Sequence, residues 1–313
     1  MKFKSLSLLL VLLMVIGLMA CNDTTFDDGL NVVEAEQVGQ VYLDGSVIVV
    51  DARGEEAYNE QHLKDAICID PSELLVDKPV PATVAPKAKV QRVLSAKGIQ
   101  NDSTVYIYDA NGGVNAFRIW WTMKLYGHDD VKVVNGGFAA LGKQGLVATK
   151  NETVLEPAEY VASDADESLI IDFEALQMIT EDENTNVKII DVRSPAEYDA
   201  GNIPGSILYP HSNNLYSDGT FMSGRDMYLF YKDKGFEKDD EIVLYCKSSF
   251  RATQTMALLE EAGFTNMKVY DGAWLEWEAN GGEAATADDD APVTSQDGSW
   301  YKSSYLYGLL LFL

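Results

Sequence analysis

The chain has 313 residues, of which 49 are acidic and 24 are basic, so its formal net charge at pH 7 is −25. A chain this acidic is repelled by nucleic acid and by anionic lipid headgroups, which argues against nucleic acid as a partner. Hydrophobic residues make up 47% of the sequence. That apolar content supports packed cores, and the length is enough for two domains of ordinary size.

The N-terminal segment has the pattern of a bacterial export signal. Residues 1–20 carry two lysines and then an apolar run, and Leu18-Met19-Ala20-Cys21 resembles a lipobox, in which the cysteine becomes the lipidated first residue. A membrane-spanning helix is the alternative, but it needs about 20 apolar residues and this run is shorter. We therefore expect a signal peptide over residues 1–20, lipid on Cys21 and a tether over residues 21–30. The mature chain, with a net charge of −27 from 22 basic and 49 acidic residues, would be anchored in the bacterial cell envelope, facing the periplasm or the exterior.

An internal repeat indicates a duplicated unit. The run Val49-Val50-Asp51-Ala52-Arg53 parallels Ile189-Ile190-Asp191-Val192-Arg193 at an offset of 140 residues. Val105-Tyr106-Ile107-Tyr108-Asp109 parallels Ile242-Val243-Leu244-Tyr245-Cys246 at an offset of 137. Val134-Asn135-Gly136-Gly137-Phe138 parallels Tyr270-Asp271-Gly272-Ala273-Trp274 at an offset of 136. We predict a first domain over residues 31–150, a linker around residues 149–165, a second domain over residues 165–282 and a tail over residues 283–313.

Each copy alternates short β-branched runs with helical stretches, such as residues 116–125 in the first and residues 253–261 in the second. This alternation predicts an α/β fold in which each domain is a mainly parallel sheet with helices on both faces. In such folds ligands bind at the carboxyl ends of the strands.

One such strand end carries a cysteine. Residues 242–245 read as a buried strand, the segment after Arg251 reads as a helix that stops at Gly263, and Cys246 lies between them. Backbone N–H groups and the helix dipole converge there, and Lys247 and Arg251 add two cations, so a thiol at this point ionises more readily. We expect Cys246 to be a nucleophile exposed at the tip of the loop. The alternative is a small core residue.

The spacing Cys-x4-Arg at a strand-to-helix turn resembles the active-site loop of the rhodaneses, which are thiosulfate and mercaptopyruvate sulfurtransferases. Upstream, Asp191-Val192-Arg193-Ser194-Pro195-Ala196-Glu197-Tyr198 and Gly201-Asn202-Ile203-Pro204-Gly205-Ser206 resemble a second family signature, with Asn202 where histidine is usual. Downstream, Asp271-Gly272-Ala273-Trp274 resembles the closing Gly-Gly-Trp segment. The resemblance implies two tandem rhodanese-like domains. In the first, Asp109 stands at the nucleophile position, so that copy should be inactive.

The resemblance also implies a mechanism. Cys246 would take a sulfane sulfur from a donor as a persulfide and pass it to cyanide or to a thiol, so the partners would be small-molecule sulfur donors and acceptors, with no cofactor and no metal. The anion-binding loop would consist of Lys247, Ser248, Ser249, Phe250 and Arg251, the last of which orders the loop. Arg193 either holds the anionic part of the donor or forms a structural ion pair with Asp191.

The sequence leaves alternatives open for the sulfur donor and for the class of protein. Lys247 favours thiosulfate as the donor, whereas 3-mercaptopyruvate is the alternative. Phosphatases also use a cysteine-to-arginine loop, but with five intervening residues where this chain has four. A non-catalytic binding lipoprotein is a further rival, because the first copy is degenerate.

The remaining features are expected to be structural. Cys68 alternates into an apolar strand and is predicted to be a core residue, unpaired like Cys246. Trp274 lines the mouth of the pocket or packs in a core. Residues 283–296 have a solvated, disordered composition, and the apolar C-terminal end is too short to span a bilayer.

Overall fold

The structure is a computed structural model that describes Phe26, residues 29–42 and residues 45–286. The signal peptide, the lipidated Cys21 and the apolar C-terminal end predicted above lie outside the described residues. None of the helices within the described ranges is long and apolar enough to cross a membrane.

In its described residues, the first half of the chain forms nine strands and five α-helices. In order they are β1 (Val32–Val33), α1 (Ala35–Val41), β2 (Ile48–Asp51), α2 (Glu55–Glu60), β3 (His62–Leu63), β4 (Ile67–Cys68), β5 (Leu75–Val76), β6 (Thr83–Val84), α3 (Lys87–Ala96), β7 (Val105–Tyr108), α4 (Val114–Leu125), β8 (Val131–Val134), α5 (Gly137–Lys143) and β9 (Ala148–Thr149). A 3-10 helix over Pro71–Leu74 separates β4 from β5.

The second half repeats the alternation. Its elements are β10 (Ile170–Ile171), α6 (Phe173–Glu181), β11 (Lys188–Asp191), α7 (Pro195–Asp199), β12 (Ser206–Leu208), α8 (Gly224–Asp233), β13 (Ile242–Tyr245), α9 (Phe250–Glu261), β14 (Met267–Tyr270) and α10 (Ala273–Ala279). A 3-10 helix over His211–Asn214 follows β12.

Each half is built on one five-stranded parallel sheet. The strand order is β1-β8-β7-β2-β4 in the first and β10-β14-β13-β11-β12 in the second, so equivalent strands take equivalent places. Two short antiparallel pairs, β3 with β9 and β5 with β6, lie in the first half. The predicted α/β fold with two copies of one mainly parallel sheet is confirmed. The central strands are buried on both faces, as all four residues of β13 show, which is why they read as continuous apolar runs.

The two domains share one hydrophobic core. Helices α4 and α9, each of which follows a central strand, pack against one another between the two sheets. Nearly every side chain of α4 is buried, so this helix is enclosed on all sides rather than on one face, and most but not all of its buried side chains are apolar. Gln254 of α9 donates from Nε2 to the carbonyl oxygen of Gly112, 2.6 Å away, and so joins α9 to the loop that precedes α4. These contacts join the two domains next to the strand ends that α4 and α9 follow.

The linker and the start of the tail are both attached to the domains. The N–H of Ala158 donates to Ser95 O at 2.9 Å, and Tyr160 is 1% exposed against the first domain. At the other end, Asn202 and Ala285 form an antiparallel bridge with two hydrogen bonds of 2.9 Å. Residues 283, 284 and 286 are exposed, as the solvated composition predicted, but the predicted disorder is wrong at Ala285, whose backbone pairs with Asn202 of the second domain.

Candidate active site

The carboxyl ends of three neighbouring strands carry the candidate residues. Cys246 directly follows β13, Arg193 follows β11, and His211 lies in the 3-10 helix after β12. Strand β11 pairs in parallel with both β13 and β12, so these ends meet at one edge of the second sheet. We call residues 246–251 the cysteine loop.

Cys246 is buried rather than exposed. Its side chain is 1% exposed, and its carbonyl oxygen accepts the N–H of Trp274 at 3.0 Å. The next carbonyl, of Lys247, accepts the N–H of Leu275 at 3.3 Å, so the start of α10 clamps the loop from behind. The expectation of a nucleophile exposed at the tip was wrong, because the tip is formed by Lys247, whose side chain is exposed.

Ser249 has a structural part in the loop. Its backbone is left-handed, with φ of 66°, and its side chain is fully buried. The hydroxyl lies 2.9 Å from Tyr270 O and 2.6 Å from Asp271 O, to which it donates. The Ser249 side chain is therefore unavailable to a substrate. The N–H of Phe250 also turns inward and donates to Ser248 O at 3.0 Å.

Arg251 anchors the loop to a carboxylate. Its Nη1 and Nη2 donate to the two carboxylate oxygens of Glu197 at 2.7 and 2.8 Å, a bidentate pair. Burial lowers the pKa of Arg251, but the hydrogen bond to Glu197 and the charge interactions with Cys246 and Glu197 outweigh burial and raise the pKa overall. The hydrogen bond from Arg251 is the largest cause that lowers the pKa of Glu197, which falls from 4.5 to about 2. The loop-ordering role predicted for Arg251 is thus supported by geometry, and its partner is Glu197.

Arg193 belongs to a buried ion pair. Its Nε lies 3.0 and 2.9 Å from the oxygens of Asp191, its Nη2 lies 2.7 Å from Oδ2 of Asp191, and it is 2% exposed. The guanidinium also stacks 4.5 Å from the ring of the half-buried Trp274. Arg53 and Asp51 form the same pair in the first domain, which has no cysteine at the nucleophile position. Of the two roles considered for Arg193, the structural one is therefore favoured over donor binding.

In the first domain, the loop equivalent to the cysteine loop surrounds the carboxylate of its own Asp109. Both carboxylate oxygens of the buried Asp109 are held by backbone N–H groups: Oδ1 accepts from Asn111 and Gly113 at 3.0 and 2.9 Å, and Oδ2 accepts from Asn115 and Ala116 at 2.9 and 3.2 Å. Burial raises the pKa of Asp109, and these four donors act in the opposite direction. The strand-to-helix turn of this fold therefore forms a cradle for an anionic group.

The cysteine loop keeps part of that cradle open. By the offset of 137 residues, Ser248 and Ala252 stand where Asn111 and Asn115 donate to Asp109. Within the described part of the chain, the N–H groups of Ser248 and Ala252 have no acceptor. Both N–H groups belong to the same turn as Cys246, and Arg251 interacts electrostatically with the Cys246 side chain.

His211 lies near this site although no sequence motif pointed to it. Burial lowers its pKa, and the positive charge of Arg251 lowers it further. Its Nδ1 is buried and has no hydrogen-bond partner in the part of the chain that the structure describes. The fold therefore places a neutral imidazole beside the cysteine loop. This proximity follows from the order of the strands in the sheet, which no motif around His211 indicates.

The second cysteine of the described region differs from the first. Cys68 is half-buried at the end of β4 and opens into a cavity of about 430 Å³ lined by Tyr58 and Lys97 among others. The prediction of a core position was wrong, because β4 is an edge strand of its sheet. Burial, followed by the charge of Asp51, raises the pKa of Cys68 to about 12, so the thiol stays protonated. Both Cys68 and Cys246 are free thiols, as predicted.

Comparison with known proteins gives consistent relatives. The rhodanese-like domain profile matches residues 34–144 and again residues 174–280. A Saccharopolyspora erythraea protein named "Putative thiosulfate sulfurtransferase" is 33% identical over 251 residues, which covers 75% of this chain and 88% of that protein. The thiosulfate sulfurtransferase of Cricetulus griseus is 28% identical over 240 residues, covering 72% and 80% of the two chains.

Solved structures share the fold. The 3-mercaptopyruvate sulfotransferase SseA of Escherichia coli superposes with a TM-score of 0.71 at 22% identity, covering 79% of this chain and 99% of that one. An anaerobic ergothioneine biosynthesis enzyme of Chlorobium limicola gives a TM-score of 0.74 at 22% identity, covering 82% and 70%. With the family profile matched in both halves and equivalent parallel sheets in each, this chain belongs to the rhodanese family as a tandem of two rhodanese-like domains.

Proposed function

We propose that the protein is a sulfurtransferase that moves a sulfane sulfur from thiosulfate to cyanide or to a thiol acceptor through a persulfide on Cys246. One observation carries the proposal: in the first domain the same turn holds a carboxylate with four backbone N–H groups, and in the second the cysteine occupies that carboxylate's place. A turn built to hold an anion suits both a thiolate and the persulfide anion that follows it.

The reaction needs two displacements at sulfur. In the first, the Cys246 thiolate attacks the outer sulfur of thiosulfate; a new S–S bond forms, the old one breaks, and sulfite leaves with the bonding pair. In the second, cyanide attacks the terminal sulfur of the persulfide and leaves as thiocyanate, which returns the thiolate. Since charge is conserved in each step and no proton moves, the cycle needs no general base and should show ping-pong kinetics.

Thiosulfate is favoured as the donor by the exposed Lys247 beside the nucleophile. A compact ammonium attracts a small dianion more strongly than a monoanion such as 3-mercaptopyruvate. The name of the Cricetulus griseus relative, thiosulfate sulfurtransferase, points the same way. Arg193 is not assigned to the donor, because its charge is already paired with Asp191.

We also propose that the protein works at a membrane surface, lipid-anchored through Cys21 in the bacterial cell envelope. The support is the lipobox-like run before Cys21 and the acidic mature chain, which offers no electrostatic attraction to lipid.

The test of the sulfurtransferase proposal is thiocyanate formation from thiosulfate and cyanide. Cys246→Ser should abolish turnover, because the hydroxyl is a far weaker nucleophile, while Cys68→Ser serves as the matched control and should retain it. Turnover by the Cys246→Ser protein would contradict the proposal. A wild-type protein without turnover on either donor would favour the non-catalytic binding role.

A further inference from the structure

A buried arginine of the first domain reaches the turn behind the cysteine loop. Arg118 of α4 is 1% exposed, and its Nη2 lies 2.7 Å from Oδ1 of Asp271 in the second domain. The same Nη2 donates to Ala82 O at 2.9 Å. The guanidinium lies 5.0 Å from the ring of Trp121 and 5.6 Å from the ring of Phe250, which is itself a residue of the loop.

Asp271 connects this arginine to the loop backbone. Its carbonyl oxygen accepts the Ser249 hydroxyl at 2.6 Å, and its Oδ2 accepts the N–H of Val84 of the first domain at 2.7 Å. Ser249 is the left-handed residue of the loop, a conformation that is unfavourable for a non-glycine residue and persists only where its surroundings fix it. A displacement of Asp271 would therefore be passed directly to the residue that sets the loop's shape.

The equivalent contact on the other side of the molecule lacks the ion pair, and Nδ2 of its Asn135 donates to the carboxylate of Glu34. There Asn135 stands in place of Asp271 and its Oδ1 accepts the N–H of Phe221, the counterpart of Val84, at 2.8 Å. The counterpart of Arg118, however, is Thr255, whose hydroxyl pairs with Asn214 at 3.0 Å. The two-domain contact is thus built twice, and only the copy behind the cysteine loop carries an ion pair.

Stability alone does not account for that pair. A buried ion pair is often no more stabilising than a neutral contact of similar shape, because both charges must leave water. Nε and Nη1 of Arg118 and Oδ1 of Asp271 moreover have no hydrogen-bond partner within the described residues, so the 2.7 Å contact is an ion pair without an aligned hydrogen bond. The first domain meets its need for an interdomain acceptor with the uncharged Asn135.

We propose that Arg118 is a positioning residue for Cys246: the domain without a nucleophile holds the cysteine loop in its working shape through Asp271. Arg118 fixes Asp271, Asp271 fixes the left-handed Ser249, and the guanidinium face supports Phe250. This inference rests on the proposed function, and it assigns the first domain a part in the reaction of the second.

The test separates positioning from stability with one double variant. Arg118→Met alone leaves the Asp271 charge buried and unpaired, so both stability and turnover should fall. Arg118→Met with Asp271→Asn removes both charges and leaves an amide oxygen for the Val84 N–H, as Asn135 provides for Phe221. We expect the double variant to recover most of its resistance to urea yet to keep a kcat about 10- to 100-fold below wild type, with KM for thiosulfate little changed.

Asn135→Ala is the matched control, because it breaks the equivalent contact away from the cysteine loop. It should lose stability and retain kcat. Arg118→Lys should restore only part of kcat, since an ammonium cannot both pair with Asp271 and face the Phe250 ring as a planar group. A double variant with wild-type kcat, or an Asn135→Ala variant with the same loss of kcat, would overturn the inference.

A second readout does not depend on turnover. The rate at which iodoacetamide alkylates Cys246, followed by peptide mass analysis, reports whether the loop holds the sulfur in its reactive position. The double variant should alkylate Cys246 at a clearly different rate from wild type, whereas the rate at Cys68 should not change. Equal rates at Cys246 would refute the positioning role even if the wild-type protein proved inactive with thiosulfate, so the two proposals fail separately.

Discussion

The Glu197–Arg251 pair offers a prediction that can be worked out in free energy. It occurs only in the domain with the cysteine: Ala57 and Val114 stand at the equivalent positions of the first domain. Glu197→Gln keeps the shape and the helix-capping group of the side chain but removes the charge that Arg251 pairs with. We expect this variant to be less stable and less active at neutral pH.

The magnitude follows from the pKa of Glu197, which is lowered from 4.5 to about 2. At about 1.4 kcal/mol per unit, a fully buried carboxylate with this pKa would contribute about 3 kcal/mol to the free energy of unfolding, with Arg251 as the largest cause and the hydrogen bonds from Ser194 as a smaller one. The Glu197 side chain is 33% exposed, so solvent screening reduces the expected contribution to about 1–2 kcal/mol. This corresponds to a fall in Tm of about 2–8 °C. Because Arg251 lies in the first turn of α9, close to Cys246, we also expect kcat/KM to fall about tenfold.

The pH dependence supplies the check. The pKa of Glu197 is lower in the folded chain, so its stabilisation is present above about pH 4.5 and is lost as the pH falls towards about 2. Urea unfolding at pH 7 and at acid pH should show a gap between wild type and Glu197→Gln that closes on acidification. Glu56→Gln, an exposed glutamate in the first turn of α2, is the matched control and should show no gap at pH 7. A gap that persists unchanged at low pH would refute the reasoning.

Three further predictions concern single side chains. Lys247→Ala should lower kcat/KM about fivefold for thiosulfate and less for 3-mercaptopyruvate, because its exposed ammonium attracts the dianion through water; equal losses in steady-state assays with both donors would mean that it does not select the donor. Cys21→Ser should move the protein from the membrane fraction to the soluble fraction on cell fractionation, since an acyl chain contributes about 0.8 kcal/mol per buried CH2; persistent membrane association would place the attachment elsewhere. Cys68→Ser should leave the rate of thiocyanate formation unchanged, because burial raises the pKa of that thiol to about 12 and keeps it protonated, so a loss of turnover would bring Cys68 into the reaction.

The sequence predicted the features that depend only on residues close together along the chain. The apolar run before Cys246 and the helix after it were read correctly, although α9 begins at Phe250, ahead of Arg251. The repeat predicted two equivalent sheets because each apolar run had a partner at a constant offset. Fold and loop position depend on local periodicity and on spacing, which one sequence displays directly.

What the sequence could not show depends on contacts between distant stretches. Cys246 is buried because the start of α10, almost thirty residues later, donates to its carbonyl, and no pattern around the cysteine reveals that contact. Cys68 lies in an apolar alternation that indicates a strand but not which strand forms the edge of the sheet. The Arg118–Asp271 pair joins residues of two different domains, and no pattern in the sequence predicts that contact. The repeat did contain one sign of the Glu197–Arg251 pair. Arg251 and Glu197 are charged, whereas the residues at the equivalent positions of the first domain are not.

The central claim, that Cys246 carries sulfur as a persulfide, has a direct measurement. The purified protein is mixed with thiosulfate in the absence of an acceptor, and the peptide that contains Cys246 is weighed by mass spectrometry before and after cyanide is added. We predict that this peptide gains the mass of one sulfur atom and loses it again with cyanide, while the peptide that contains Cys68 keeps its mass. A Cys246 peptide of unchanged mass in a protein that still forms thiocyanate would contradict the account.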